Sequence, residues 1–339
     1  MSTGFDVTEF GIQPGDEFPH PFSSDHADWN ESYFFDWYNA DGGVAGHCRI
    51  GWHPVQERVL FWLYLYNGSE WLVIEEYRLP FAALQLGSEG AITEPAFAYQ
   101  GWGLEFQYQP QQPLRSGQLQ VSGFARVLCG PRQGMILPVA LELGVTAIGP
   151  PYSRGSGSVD SHSAANFSTD RYEQPHVAQG HMVIDGDTTA LDVRGERDHS
   201  WGPRPWDMGW RFLVINNPAF SLLATQVEIP GWPLISMGYY HGHGEAMEHL
   251  AEAELALEFN ADDPTAAVSG SFNLLCDSGR KVEGTIETIS GTEIDITHTF
   301  ATPHRSEYRR SLIRCTFGDG SQSIGWLECN RETQAAPDA

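Results

Sequence analysis

The stretch VLFWLYLYNGSEWLVIEEY, Val59 to Tyr77, decides the fold class. Val59 to Tyr66 is an unbroken apolar and aromatic run with the length of one buried strand. It falls far short of the roughly 20 residues that a membrane-spanning helix needs. Asn67-Gly68 follows, the dipeptide favoured in tight hairpins because both residues accept positive φ. Trp71 to Tyr77 then reads as the returning strand.

The same rhythm continues on both sides. Residues 1 to 28 are rich in Pro, Gly, Asp and His and read as an irregular arm. Strands are expected at Tyr33 to Tyr38 and Val44 to Trp52, and beyond the hairpin at Leu104 to Tyr108, Gln118 to Leu128 and Ile136 to Val145. Their separators contain Gly or Pro, the punctuation of antiparallel sheet. Gly149 to Ser168 has few large apolar residues and reads as a linker, so the domain boundary is placed there, giving domains 1–150 and 169–339. Past it, strands are expected at His176 to Ile184, Thr188 to Arg194, Trp210 to Ile215, Ser221 to Val227 and Leu234 to Tyr240. Six more are expected at Ala256 to Phe259, Val268 to Leu275, Lys281 to Ile289, Glu293 to Phe300, Ser311 to Phe317 and Ser323 to Glu328. Only Glu245 to Leu257 has helix-friendly composition, and its end suits a strand as well. Many short strands with hardly any helix imply an all-β protein of two closed or nearly closed barrels, because closure removes exposed edges.

Composition bounds the function. A net charge of −25 over 339 residues excludes nucleic acid, since displacing counterions from phosphate needs a basic face. It excludes an anionic membrane surface for the same reason. The first residues have neither a basic nor an apolar export region, and five scattered cysteines without C-x-x-C spacing fit reduced thiols, so a cytoplasmic protein without stable membrane insertion is expected. No G-x-S-x-G, H-E-x-x-H, P-loop or dinucleotide fingerprint occurs, so no cofactor is expected. Nothing in the residues bears on oligomeric state.

The densest chemistry lies in Gly195 to Trp210, GERDHSWGPRPWDMGW. Charges among three tryptophans suggest a partly buried polar network, its charges paired because unpaired burial is costly. Between the expected strands 188–194 and 210–215, the cluster reads as the place where one strand hands over to the next. Asp198 is the candidate general acid, with its carboxyl near indole rings, and His199 the candidate proton partner. Arg197 and Arg204 would fix that carboxylate, and Trp201, Trp206 and Trp210 would line the substrate pocket. The same residues could equally be a structural network joining two strands. A second cluster, Tyr240, His241 and His243, would line the pocket too. His241 and His243 share a strand face and could hold a metal with Glu248, but the glycine spacing and the lack of a downstream third-histidine motif argue against it, so no metal is expected.

Gly195-Glu196-Arg197-Asp198-His199-Ser200-Trp201-Gly202-Pro203-Arg204 resembles the G-x-R-D-H-S-W-G-x-R signature of a lipocalin-like superfamily of AttH-like proteins and carotenoid 1,2-hydratases (hydroxyneurosporene synthases). Trp29 to Phe34 and Gly320 to Glu328 resemble related uncharacterised bacterial families, so the likeness touches both halves. The resemblance implies two side-by-side lipocalin-like barrels and, for some members, cofactor-free chemistry on apolar isoprenoids. The motif residues it brings over are Arg197, Asp198, His199, Trp201 and Arg204. The acidity and short length set this chain apart from a carotenoid enzyme and favour a smaller terpenoid or steroid-like molecule. The expected activity is proton transfer to an alkene or alcohol of such an apolar substrate, giving hydration, dehydration, isomerisation or cyclisation. The alternatives are a cofactor-free pericyclase of the Diels–Alder type and a non-catalytic lipid or terpenoid carrier.

Overall fold

A computed structural model describes residues 4–89, 93–153, 170–203, 208–229, 231–294, 296 and 305–333. The chain divides into two compact units, Met1–Asn39 with Gly43–Arg204, and Ala40–Gly42 with Pro205–Ala339.

The first unit holds β1 (Trp29–Tyr38), β2 (Ala45–His53), β3 (Arg58–Tyr66), β4 (Trp71–Pro80), β5 (Leu84–Leu86), β6 (Phe97–Gly101), β7 (Leu104–Gln112), β8 (Ser116–Cys129), β9 (Ile136–Ala147), β10 (Asp170–Ile184) and β11 (Asp187–Pro203). They form one antiparallel sheet in the order β4-β3-β2-β1-β11-β10-β9-β8-β7-β6-β5, and β4 also pairs with β8. Eight strands thus close on themselves, and β7, β6 and β5 continue from β8. The edge of β8 is shared: residues 116–122 face β7, while Arg126, Val127 and Cys129 face β4. Inward side chains build one apolar core, among them Tyr33, Phe35 and Trp37 of β1, Phe61 and Leu63 of β3, and Leu141 and Leu143 of β9. The hairpin forms, but through a four-residue connection in which only Gly68 of the Asn-Gly pair takes positive φ (88°), while the Asn67 Oδ1 accepts from the Ser69 and Glu70 amides.

The second unit is a closed barrel of β12 (Gly209–Asn216), β13 (Phe220–Glu228), β14 (Ile235–Gly242), β15 (Met247–Asn260), β16 (Asp263–Cys276), β17 (Lys281–Ile294), β18 (Arg305–Phe317) and β19 (Gln322–Thr333), each paired with its sequence neighbour and β19 returning to β12. Leu213, Leu222, Leu255, Phe272, Ile313 and Leu327 belong to its core. The all-β, barrel-based class read from the sequence is therefore the observed one. No helix among the described residues is long and apolar enough to cross a membrane, and all five cysteines are free thiols.

Three expectations need correction. The boundary is not at 149–168: β10 pairs with β9 and β11 with β1, so the signature motif lies in the first unit rather than the C-terminal domain, and the division falls after Arg204. In chain order 149–168 falls between β9 and β10, which pair with one another, and composition alone cannot tell such a connection from an inter-domain linker. The motif is not a hand-over between strands either. β11 runs unbroken from Asp187 through Pro203, hidden from the sequence because both of its faces carry polar residues over 194–200. Finally, the helix-friendly segment 245–257 is mostly β15, with Leu250, Ala253 and Leu255 turned into the barrel core. Tertiary pairing on both edges overrides its local propensity. Of the expected strand Glu293 to Phe300, Glu293 and Ile294 end β17, and 297–300 lie outside the described residues.

Candidate active site

Alternation along β11 sorts the motif into two rows. Arg197, His199 and Trp201 face the interior of the first unit, while Glu196, Asp198 and Ser200 face the other side. Asp198 and His199 therefore do not act on one another.

In the interior row, Arg197 is fully engaged. It makes a bidentate pair with Glu17, at 2.6 Å from Nη1 and 2.9 Å from Nη2, and donates to Gln174 Oε1 from Nε (2.9 Å) and to the Tyr108 hydroxyl (2.9 Å). Glu17 also accepts from the Tyr108 hydroxyl (2.8 Å) and the Leu114 amide (2.6 Å). Burial pushes the Glu17 carboxyl upward, but the Arg197 charge and these hydrogen bonds outweigh it and leave it below the usual carboxylate range. Burial and the same guanidinium push the neighbouring His176 down to about 3, which keeps it neutral. Arg197, expected to fix the Asp198 carboxylate, fixes Glu17 instead, because the two motif residues leave opposite faces of the strand.

Next along the row, His199 is sealed. Its Nδ1 donates to the Asp16 carbonyl (2.8 Å) and its Nε2 faces Glu31 Oε1 (2.9 Å). The ring stacks on Tyr33, with centroids 3.8 Å apart. The same Glu31 oxygen is 2.9 Å from Nδ1 of His20, whose imidazole stacks on Trp201 at 3.9 Å. The His20 amide donates to both Glu31 oxygens, at 3.0 and 3.1 Å. One ligand atom each from His20, Glu31 and His199 lie within 4.8 Å of one another, a spacing that a cation can bridge. Glu17, His20 and Glu31 were not singled out from sequence. The available signal was local: Pro19 and Pro21 bracket His20 and hold its backbone extended.

On the opposite face, Asp198 meets a different partner set. Arg171 of β10 donates from Nη2 to Asp198 Oδ2 (3.0 Å) and also pairs with Glu173, which lies across the ladder from Asp198. Asp36 and Glu196 line this face as well, the Asp36 carboxylate accepting from the Glu196 amide at 2.8 Å. Arg171 and Asp198 keep 30% and 17% side-chain exposure, so the group is reachable, whereas Glu173 is nearly enclosed at 8%. Burial dominates at Glu173 and pushes its pKa up to about 8. The Arg171 charge opposes that rise, and the Asp198 and Asp36 charges add to it. Burial thus pushes one carboxyl of a pair toward its protonated form, with one guanidinium between the two.

The remaining expected site residues divide by unit. Arg204 and Trp206 lie outside the described residues. In the second unit, the Trp210 indole donates to Glu328 Oε2 (3.2 Å), and Tyr240 packs on Phe220 and under Arg280. His241 is buried, with its ring 5.9 Å from that of His243. The two nitrogens of His243 lie 3.1 Å from Ser221 Oγ and 3.0 Å from the Pro218 carbonyl, which leaves neither turned to a metal.

A family profile described as "Domain of unknown function (DUF7064)" matches residues 13–333. No protein of curated function matches the sequence. Among solved structures, CghA with Sch210972 superposes with a TM-score of 0.65 at 10% identity, covering 97% of this chain and 98% of that one. An AttH-like protein from Nitrosomonas europaea gives 0.60 at 13% identity, covering 96% and 98%. Kievitone hydratase from Nectria haematococca gives 0.56 at 10% identity, covering 96% and 94%. Likeness at such identities is a likeness of fold, and it bears out the all-β, barrel-based fold that the resemblance implied.

Proposed function

The chain belongs to the DUF7064 family, and from that premise we propose that it is a cofactor-independent acid/base enzyme acting on an apolar isoprenoid, terpenoid or steroid-like small molecule. One observation carries this reading: two carboxyls from neighbouring strands, Glu173 and Asp198, share the Arg171 guanidinium on a partly open face. Environments that drive paired carboxyls apart in acidity separate the proton donor from its partner. Glu173 is the general acid, delivering its proton to an alkene or alcohol. Arg171 stabilises the carboxylate that remains, the Asp198 charge favours the protonated acid before transfer, and Phe34, opposite Asp198 on β1, offers an apolar wall. This keeps Asp198 in the site but moves the donated proton to Glu173. The likeness in fold to kievitone hydratase favours addition or removal of water, while Sch210972 in the CghA structure favours a small organic substrate.

The likeness to CghA also sustains a second reading, a pericyclase in which shape and hydrogen bonding dominate and no single acid is essential. Incubating the protein with a panel of apolar alkenes of terpenoid and steroid size in deuterated water separates the readings. Acid catalysis places a solvent deuteron on carbon, and Glu173→Gln lowers turnover by about 10²- to 10⁴-fold, the usual worth of a positioned acid. Product without deuterium, formed equally by that variant, favours the pericyclase. Stoichiometric binding with no product indicates a carrier and overturns both.

A further inference from the structure

We propose that His20, Glu31 and His199 form a binding site for one divalent transition-metal ion of the zinc class, which clamps the N-terminal arm to β1 and β11. The ligands come from three separate places in the first unit: His20 from the irregular arm, Glu31 from β1 and His199 from β11. Two imidazoles with one carboxylate are a donor set that suits zinc and its neighbours in the first transition row. His20 Nδ1 and His199 Nε2 each lie 2.9 Å from the same Glu31 oxygen. Two donors about 2.0–2.2 Å from one tetrahedral ion lie roughly 3.3–3.6 Å apart, so the two contacts to Glu31 must open by about half an ångström to admit a common ion.

The groups behind the ligands carry the inference further. A metal-binding histidine almost always gives its far N–H to a carbonyl or carboxylate, which fixes the tautomer and aims the other nitrogen. Asp16 stands behind both rings here. Its backbone carbonyl is 2.8 Å from His199 Nδ1, and its carboxylate oxygen is 3.5 Å from His20 Nε2. A carbonyl only accepts, so His199 Nδ1 carries the hydrogen and its Nε2 is aimed at Glu31. The carboxylate is pinned in turn by the His20 amide. The charge of Arg197, the nearest cation of the row, is matched by Glu17. Trp201, stacked on His20, covers the group.

The metal holds structure and does not touch the Glu173–Asp198 face, so the two proposals fail separately. Titration of untagged, chelator-stripped protein with Zn²⁺ by calorimetry, and with Co²⁺ by visible absorption, needs no substrate. The expected result is one equivalent bound, with ligand-field bands in the cobalt form and a higher melting temperature. His20→Ala, which removes a half-buried arm residue, lowers the affinity at least tenfold. Asp16→Ala weakens binding by about 10- to 100-fold, as loss of a supporting group does. Wild-type protein that binds neither ion, or His20→Ala protein that binds as tightly as wild type, overturns the proposal.

Discussion

Asp198 and His199, adjacent in sequence, leave β11 on opposite faces, Asp198 to meet Arg171 and His199 to meet Glu31. One decapeptide therefore contributes to two polar groups, one on each face of β11. The inner row fastens the arm through Glu17 and Glu31, and the outer row presents carboxyls.

The inner row makes a stability claim. Arg197 is 3% exposed and Glu17 0%, so removing either charge strands its partner in the interior. Arg197→Met is expected to cost about 3–5 kcal/mol in urea unfolding. Joining it to Glu17→Met recovers part of that loss, because the stranded carboxylate is gone while the Tyr108 hydroxyl, the Leu114 amide and Gln174 Oε1 still lose their partners.

Gly195 opens the motif for a packing reason. A Cβ there would lie 1.9 Å from the Asp36 backbone oxygen and 2.6 Å from its carboxylate. The first of these is backbone of a central strand and cannot turn aside. Gly195→Ala is expected to destabilise by at least the roughly 1–3 kcal/mol typical of overpacking, read as a lower urea midpoint.

The two carboxyls, Glu17 and Glu173, give opposite pH signatures. Glu17 is held below its ordinary range, so its stabilisation is present above about pH 4.3 and is lost as pH falls through its folded value. Glu173 is pushed up to about 8, so the folded chain keeps a proton that the unfolded chain releases, and stability declines from about pH 4.3 to 8. Glu173→Gln should therefore raise the melting temperature more at pH 8 than at pH 5. An equal change at both values would count against a protonated Glu173.

The sequence made the barrel class legible because alternating apolar runs and the Asn67-Gly68 turn are local signals. It hid the course of β11, since polar side chains on both faces erase the alternation that betrays a strand. It also hid Glu17, His20 and Glu31. They reach the motif only through long-range packing, with Glu17 and Arg197 lying 180 positions apart. Arg197 and His199 stood out by residue type, yet their partners depend on strand parity. A motif read as a line cannot supply that.

The central claim is that Glu173 holds a proton at neutral pH beside Asp198. Infrared difference spectroscopy of wild type against Glu173→Gln, followed from pH 5 to 10, tests it without a substrate. The expected result is a protonated-carboxyl band at pH 7 that is absent from the variant and titrates away near pH 8. A spectrum in which Glu173 is already a carboxylate at pH 6 would contradict it.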